Sequence, residues 1–260
     1  MADVNPYRPP ASHVEDVSPR ASNGRNFIAA GRAVAAGQGW AWIAHGWELF
    51  KRQGGTWVML LIVSGLIIIG VSLVPLVNWI LPSLLIPGLS AGVMLGCKAL
   101  DDGDRLTVGH LFAGFKARGS ALLLLGLAGF VLYMIAMAPM AIVMGGKFVA
   151  MMSGDPEAFA ELGTGFALAI LVTLAISVPV YMALWFAPVL VTLHEAPPLA
   201  ALRQSFGACL KNIVPFLLYG IILMALGIVA AIPLGLGLLV LMPVIFASVY
   251  ASYRDIFFEG

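Results

Sequence analysis

Charged and histidine side chains are absent from four long stretches of the chain, residues 53–97, 119–146, 162–193 and 212–253, and apolar residues run through them continuously instead of alternating. A helix rises about 1.5 Å per residue and must cross about 30 Å of hydrocarbon, so roughly 20 apolar residues make one membrane span. The second and third stretches hold one span each. The first and fourth are about twice that length, so each folds back as a hairpin, with turn signals at Pro75 to Pro82 and at Pro233 to Gly237. The pattern predicts an all-α integral membrane protein with six transmembrane helices at about 56–77, 80–100, 119–144, 164–193, 212–232 and 236–253. A six-strand barrel needs short segments of alternating polarity, which these runs do not offer.

A short amphipathic stretch leads into the first, third and fifth spans. Trp40, Ile43, Trp47 and Phe50 recur at three- and four-residue spacing and share one helical face, with His45, Glu48 and Arg52 opposite. Val108, Leu111, Phe112 and Phe115 form the second such face, and Leu199, Leu202, Phe206 and Leu210 the third. Lys51, Lys116 and Lys211 stand at the ends of the three stretches. The returning spans carry Pro87, Pro188 and Pro243. The expectation is three repeats of an interfacial amphipathic helix plus a transmembrane hairpin, anchored in the headgroup layer by Trp40, Ile43, Trp47, Phe50, Phe115 and Phe206 with the three lysines.

Composition agrees with a chain dissolved in lipid, at 61% hydrophobic and 10% charged residues, and the net charge of +1 gives no reason to expect a nucleic-acid partner. The placement of charge adds orientation. Thirteen of the fourteen lysines and arginines fall on one side of the spans, with Lys147 on the other, so the positive-inside rule puts both termini in the cytoplasm. Residues 1–37, rich in proline and arginine and without an apolar core, read as a disordered cytoplasmic tail and not as a cleavable signal peptide; residues 38–260 form the membrane domain. Cys97 and Cys209 map to the cytoplasmic side, where thiols stay reduced, so no disulfide is expected.

Three short segments carry a resemblance. Asn5-Pro6-Tyr7-Arg8-Pro9-Pro10, the Gly39 to Arg52 stretch and the ending Ser252-Tyr253-Arg254-Asp255-Ile256-Phe257 resemble an uncharacterised family of six-span proteobacterial inner-membrane proteins. The Leu202 to Lys211 stretch is similar to the lead-in helices of YciC-like and glycerophosphodiesterase-membrane-domain-like proteins. The resemblance implies a bacterial inner-membrane location with cytoplasmic termini. It implies no activity, substrate or catalytic residue.

Few side chains with chemistry remain. Gly88, Gly92 and Gly96 align on one helical face and read as a packing surface within the chain, with dimerisation or a flexible gate as the other readings. Met134, Met137, Met140 and Met144, followed by Met151 and Met152, offer soft ligands for Cu(I), but methionine is also an adaptable packing residue and no Cys or His accompanies the stripe inside the membrane. His45, His110 and His194 sit near the cytoplasmic interface without metal-site spacing. Asp101, Asp102 and Asp104 read as a solvated turn, and Asp155, Glu157 and Glu161 as an exposed outer loop. No nucleophile elbow, Walker loop or dinucleotide fingerprint occurs. The missing intramembrane charges weigh against a proton-coupled transporter and an intramembrane hydrolase. The expectation is a non-enzymatic, cofactor-free envelope scaffold or accessory subunit that meets the lipid bilayer and an envelope protein or a second copy of itself. A channel or facilitator for a neutral or lipid-like molecule is the alternative.

Overall fold

A computed structural model describes residues 26–75, 77–152 and 162–259, all helices, turns and extended connections apart from one isolated antiparallel bridge between Phe27 and Phe258. Helix α1 covers Gln38–Arg52, α2 Gly54–Ser72 and α3 Leu81–Asp101. A 3-10 turn over Val108–Phe112 runs into α4, Ala113–Met152. Helices α5, Leu162–Trp185, and α6, Ala187–Leu193, follow, then α7, Pro198–Lys211, α8, Ile213–Ala231, and α9, Leu238–Phe257. Among the described residues, six segments are long and apolar enough to cross a membrane: Gly54–Ser72, Leu81–Asp101, Val108–Gly145, Gly165–Leu193, Ile213–Ala231 and Leu238–Phe257.

The boundaries depart from the expected spans for local reasons. Helix α2 stops at Ser72 and not near residue 77, because Pro75 biases the residue before it away from the helical region. The expected fourth span is broken at Phe186. There Ser205 of α7 inserts its hydroxyl into the helix ladder, accepting from the Phe186 N–H at 2.9 Å and donating to the Met182 carbonyl at 2.7 Å. Those two groups are the partners of one ordinary i to i−4 helical bond, so the side chain replaces the bond and allows a change of direction just before Pro188. The expected leader is shorter than residue 37. The Ile28 N–H donates to the Phe257 carbonyl and the Arg32 N–H to the Ile256 carbonyl, both at 2.8 Å, so the segment from Asn26 is fastened to the last turn of α9. The rest of the tail, residues 1–25, and Asp155, Glu157 and Glu161 lie outside the described residues.

Each lead-in stretch ends at one residue that leaves the helical region before a span begins: Gln53 (φ −148°, ψ 52°), Arg118 (φ −145°, ψ 44°) and Asn212 (φ −119°, ψ 29°). Their side chains hold the connection that precedes another lead-in. The Gln53 Oε1 accepts from the Leu106 N–H at 2.7 Å, Arg118 pairs with Glu195 at 3.0 Å, and the Asn212 Oδ1 accepts from the Val34 N–H at 2.9 Å. The lead-ins pack on the returning helices in the same rotation: residues 106–115 on α3, α7 on α5 and α6, and α1 on α9.

Burial is concentrated where those helices meet. In α3 and α9, 56% of the span is buried, against 11% in α2 and α8. The buried runs begin at the prolines, Pro87 to Leu100 and Pro243 to Phe257, joined by Phe186 to Val191 and by Trp42, Leu49 and Trp57. Above the prolines the helices present Leu66, Ile69, Leu171, Met224 and Ile228 outward, a surface suited to hydrocarbon.

Candidate functional site

The three lead-in helices have two apolar faces, not one. In α1 the residues turned inward are Gly39, Trp42, Ile43, Gly46 and Leu49. A Cβ on Gly46 would stand 2.8 Å from the Ser248 nitrogen, so this small-residue face lets two backbones meet. Trp40 and Trp47 are turned out, 60% and 43% exposed, whereas Ile43 is 5% exposed and belongs to the core, not to the outer stripe expected for it. In α7, Ala201, Leu202, Ser205, Ala208 and Cys209 are buried while Leu199 and Leu210 are exposed. Phe50 and Phe206 are half-buried; Lys51, Lys116 and Lys211 are exposed. Phe115 lies over Gly88, and a Cβ on Gly92 would collide with the carbonyls of His110 and Leu111, so this glycine face seats the second lead-in. The lead-ins are therefore packed lengthwise on the returning helices rather than lying free on a surface.

Between the start of α1 and the end of α9 lies a polar cleft of about 380 Å³, bounded by Arg32, Gln38, Trp42, His45, Arg254, Asp255 and Glu259. Asp255 is its most heavily used group. Arg32 donates to its carboxylate and to its main-chain carbonyl, each at 2.7 Å, and the Trp42 Nε1 donates to the other carboxylate oxygen at 2.9 Å. Beside it, Arg254 pairs with Asp101, which also accepts from the Tyr250 hydroxyl at 3.4 Å and stands 3.9 Å from the His45 Nε2. Asp101 therefore does not belong to a solvated turn. Helix α3 continues through it, which directs the carboxylate, 13% exposed, toward α1 and α9. Burial lowers the pKa of His45, and Arg254 and Arg52 lower it further.

Other cations hold main-chain carbonyls. Arg52 donates to the Leu100 carbonyl at 2.6 Å, where the partial negative charge of the α3 terminus favours it. Lys211 donates to the carbonyls of Ala30 and Gly31 at 2.9 and 3.0 Å. Gly31 has φ 63°, and a Cβ there would meet that of Ala208 at 2.8 Å, so the strap approaches α7 closely only because the residue is glycine. Four residues of the C-terminal motif, Arg254 to Phe257, thus act as a clasp for the N-terminal segment, α1 and α3, a role the resemblance did not suggest.

Of His45, His110 and His194, the last enters an aromatic cluster, stacked on Phe27 with centroids 3.5 Å apart and bonded through Nε2 to the Tyr253 hydroxyl. Desolvation takes its pKa from 6.5 down to about 4. Between those values an undocked His194 binds a proton and the docked one does not, so docking of the strap is full above about pH 6.5 and weakens as the pH falls toward 4. Spin labels at Ala29 and Leu199 are expected to show a narrow distance distribution at pH 7.5 that broadens by about pH 5, and His194→Phe is expected to stay narrow.

Among the described residues, no three His, Cys, Asp or Glu side chains are placed to hold a metal ion. Met134 and Met144 are exposed, Met137 and Met140 half-buried, and Met152 is 76% exposed, so the stripe does not converge on a point; the Met151 side chain lies outside the description. Cys97 and Cys209 are free and buried, and burial pushes the Cys209 thiol up to about 12.

The chain is similar to a probable inner membrane protein of Burkholderia thailandensis, with 34% identity over 253 residues that cover 86% of this chain and 92% of the relative. No protein-family model and no solved structure matches it.

Proposed function

The chain belongs to the family of the Burkholderia inner membrane protein and is a multi-pass membrane protein, and from that premise we propose that it is a non-enzymatic envelope scaffold or accessory subunit. The observation that carries this reading is the packed basic end of the bundle. Below Pro87, Pro188 and Pro243 the returning helices close around Trp57, Phe186, Leu190, Tyr253 and Phe257, all under 3% exposed, so the centre is filled by side chains where a passage would have to run. The basic residues not spent on this closure face outward, with Arg105, Lys116 and Arg203 exposed and in no ion pair among the described residues. They share that end with the exposed Trp40 and Trp47, and an aromatic and cationic rim of this kind suits a partner at the membrane surface.

In this reading both termini are cytoplasmic, supported by the thirteen basic residues on that side. The chain is a threefold repeat of lead-in and hairpin, supported by the matching breaks at Gln53, Arg118 and Asn212 and the rotation of their side-chain bonds. A photo-cross-linking side chain at position 40 or 47 in growing cells tests the proposal. The expected product is one adduct of defined mass from both positions, lost when Lys116 and Arg203 are changed to glutamate. Labelled lipid alone, or a product indifferent to those charges, removes the support.

A further inference from the structure

We propose that the groove between α2, α3 and α9 is a binding site for one acyl chain of a bilayer phospholipid. The groove encloses about 310 Å³ and is lined almost wholly by apolar atoms. Ser64 reaches it, but its hydroxyl already donates to the Leu61 carbonyl at 3.0 Å. Water needs polar partners that these walls do not supply, so an aqueous filling is disfavoured. The groove is blind toward the basic end, where Trp57 and Leu60 are 1% exposed and Leu111 is 0% exposed. Its mouth, beside Ile86 at 53% exposure, lies between membrane spans, so the surrounding medium is hydrocarbon.

Its size selects the occupant. Along α2 the lining runs from Trp57 to Ile68, about 16 Å at the helical rise, against about 15 Å for the hydrocarbon of one leaflet. An extended acyl chain has the right length and chemistry. The groove exists because α2 and α3 touch little along their lengths, and its wall includes Pro243 and the residues flanking Pro87, Ile86 and Leu89. A blind groove holds a chain and does not conduct it, which fits a filled lower core.

The test uses the full protein in nanodiscs of phosphatidylethanolamine and phosphatidylglycerol containing a phosphatidylethanolamine with a diazirine at mid-chain. Illumination is expected to label groove residues such as Ser90 and Phe246 at least 10-fold more than Leu66 and Ile69 on the outer face of α2. A Cβ at Gly65 would meet nothing within 4 Å, and Gly65 lines the groove, so Gly65→Leu fills the space without a backbone clash. It is expected to abolish labelling of Ser90 and Phe246. Gly70 is equally open but outside the groove, and Gly70→Leu is expected to leave labelling unchanged. Equal labelling of groove and outer face in the unaltered protein means annular lipid only and overturns the proposal. So does labelling of the outer face with none in the groove, and so does groove labelling that survives Gly65→Leu.

Discussion

Gly92→Leu is expected to prevent recovery of a folded monodisperse protein, the largest effect of any single substitution considered for the membrane domain. The Cβ would collide with the main-chain carbonyls of His110 and Leu111, and its nearest neighbours are backbone that cannot rotate away as a side-chain tip can. Overpacking of a close-packed interior costs about 1–3 kcal/mol when side chains can yield, so a backbone clash at this contact belongs at or above the top of that range. The same contact seats the second lead-in on α3, so the loss is expected to propagate through Leu106 to Gln53 and the first lead-in. Fluorescence-detected size-exclusion and thermal unfolding in detergent measure it. Gly70→Leu, with open space around it, is expected to behave as the unaltered chain.

Arg254→Met is expected to cost about 3 kcal/mol, the lower end of the range for breaking a buried pair by removing one partner. The two side chains are 24% and 13% exposed, so the charge left on Asp101 keeps some access to water, which places the cost low in that range. Its remaining neighbours are the Tyr250 hydroxyl and His45, neither of which replaces a guanidinium. Arg254→Met with Asp101→Leu is expected to recover most of the loss, because the penalty belongs to the stranded charge and not to the pair itself. A double-mutant cycle on thermal unfolding separates the two contributions.

The spans were legible because lipid is their solvent: a run without charge has a length, and the length counts crossings. Local sequence also carried the hairpin turns, where Gly235 takes φ 80° in the turn joining α8 and α9. The inward faces of the lead-ins were harder to read. Hydropathy periodicity picks out Trp40, Trp47, Leu199 and Leu210, which are exposed, while the packing faces use Gly39, Gly46, Ala201, Ser205 and Ala208, which score weakly because they are small. Ile43 lies on the border of the two faces, and the three- and four-residue spacing alone could not assign it. The break at Phe186 depends on Ser205, a partner 19 residues away, and no local signal at Phe186 announces it. Asp101 looked solvated beside Asp102, Gly103 and Asp104, but one further residue of helix turned it inward. The strap from Asn26 to Val34 presents mainly its own main-chain groups to α9, Lys211 and Asn212, with Arg32 and Phe27 as the exceptions, so its sequence shows little side-chain pattern to find.

Docking at the basic end is tested most directly by carrying the photo-cross-linker in turn at position 47 and at Leu234, the latter 97% exposed in the turn between α8 and α9. One protein adduct of defined mass is expected from position 47, none from position 234, and loss of the adduct with glutamate at 116 and 203. The same adduct from both positions, or none from position 47 while lipid is labelled at each, would contradict it.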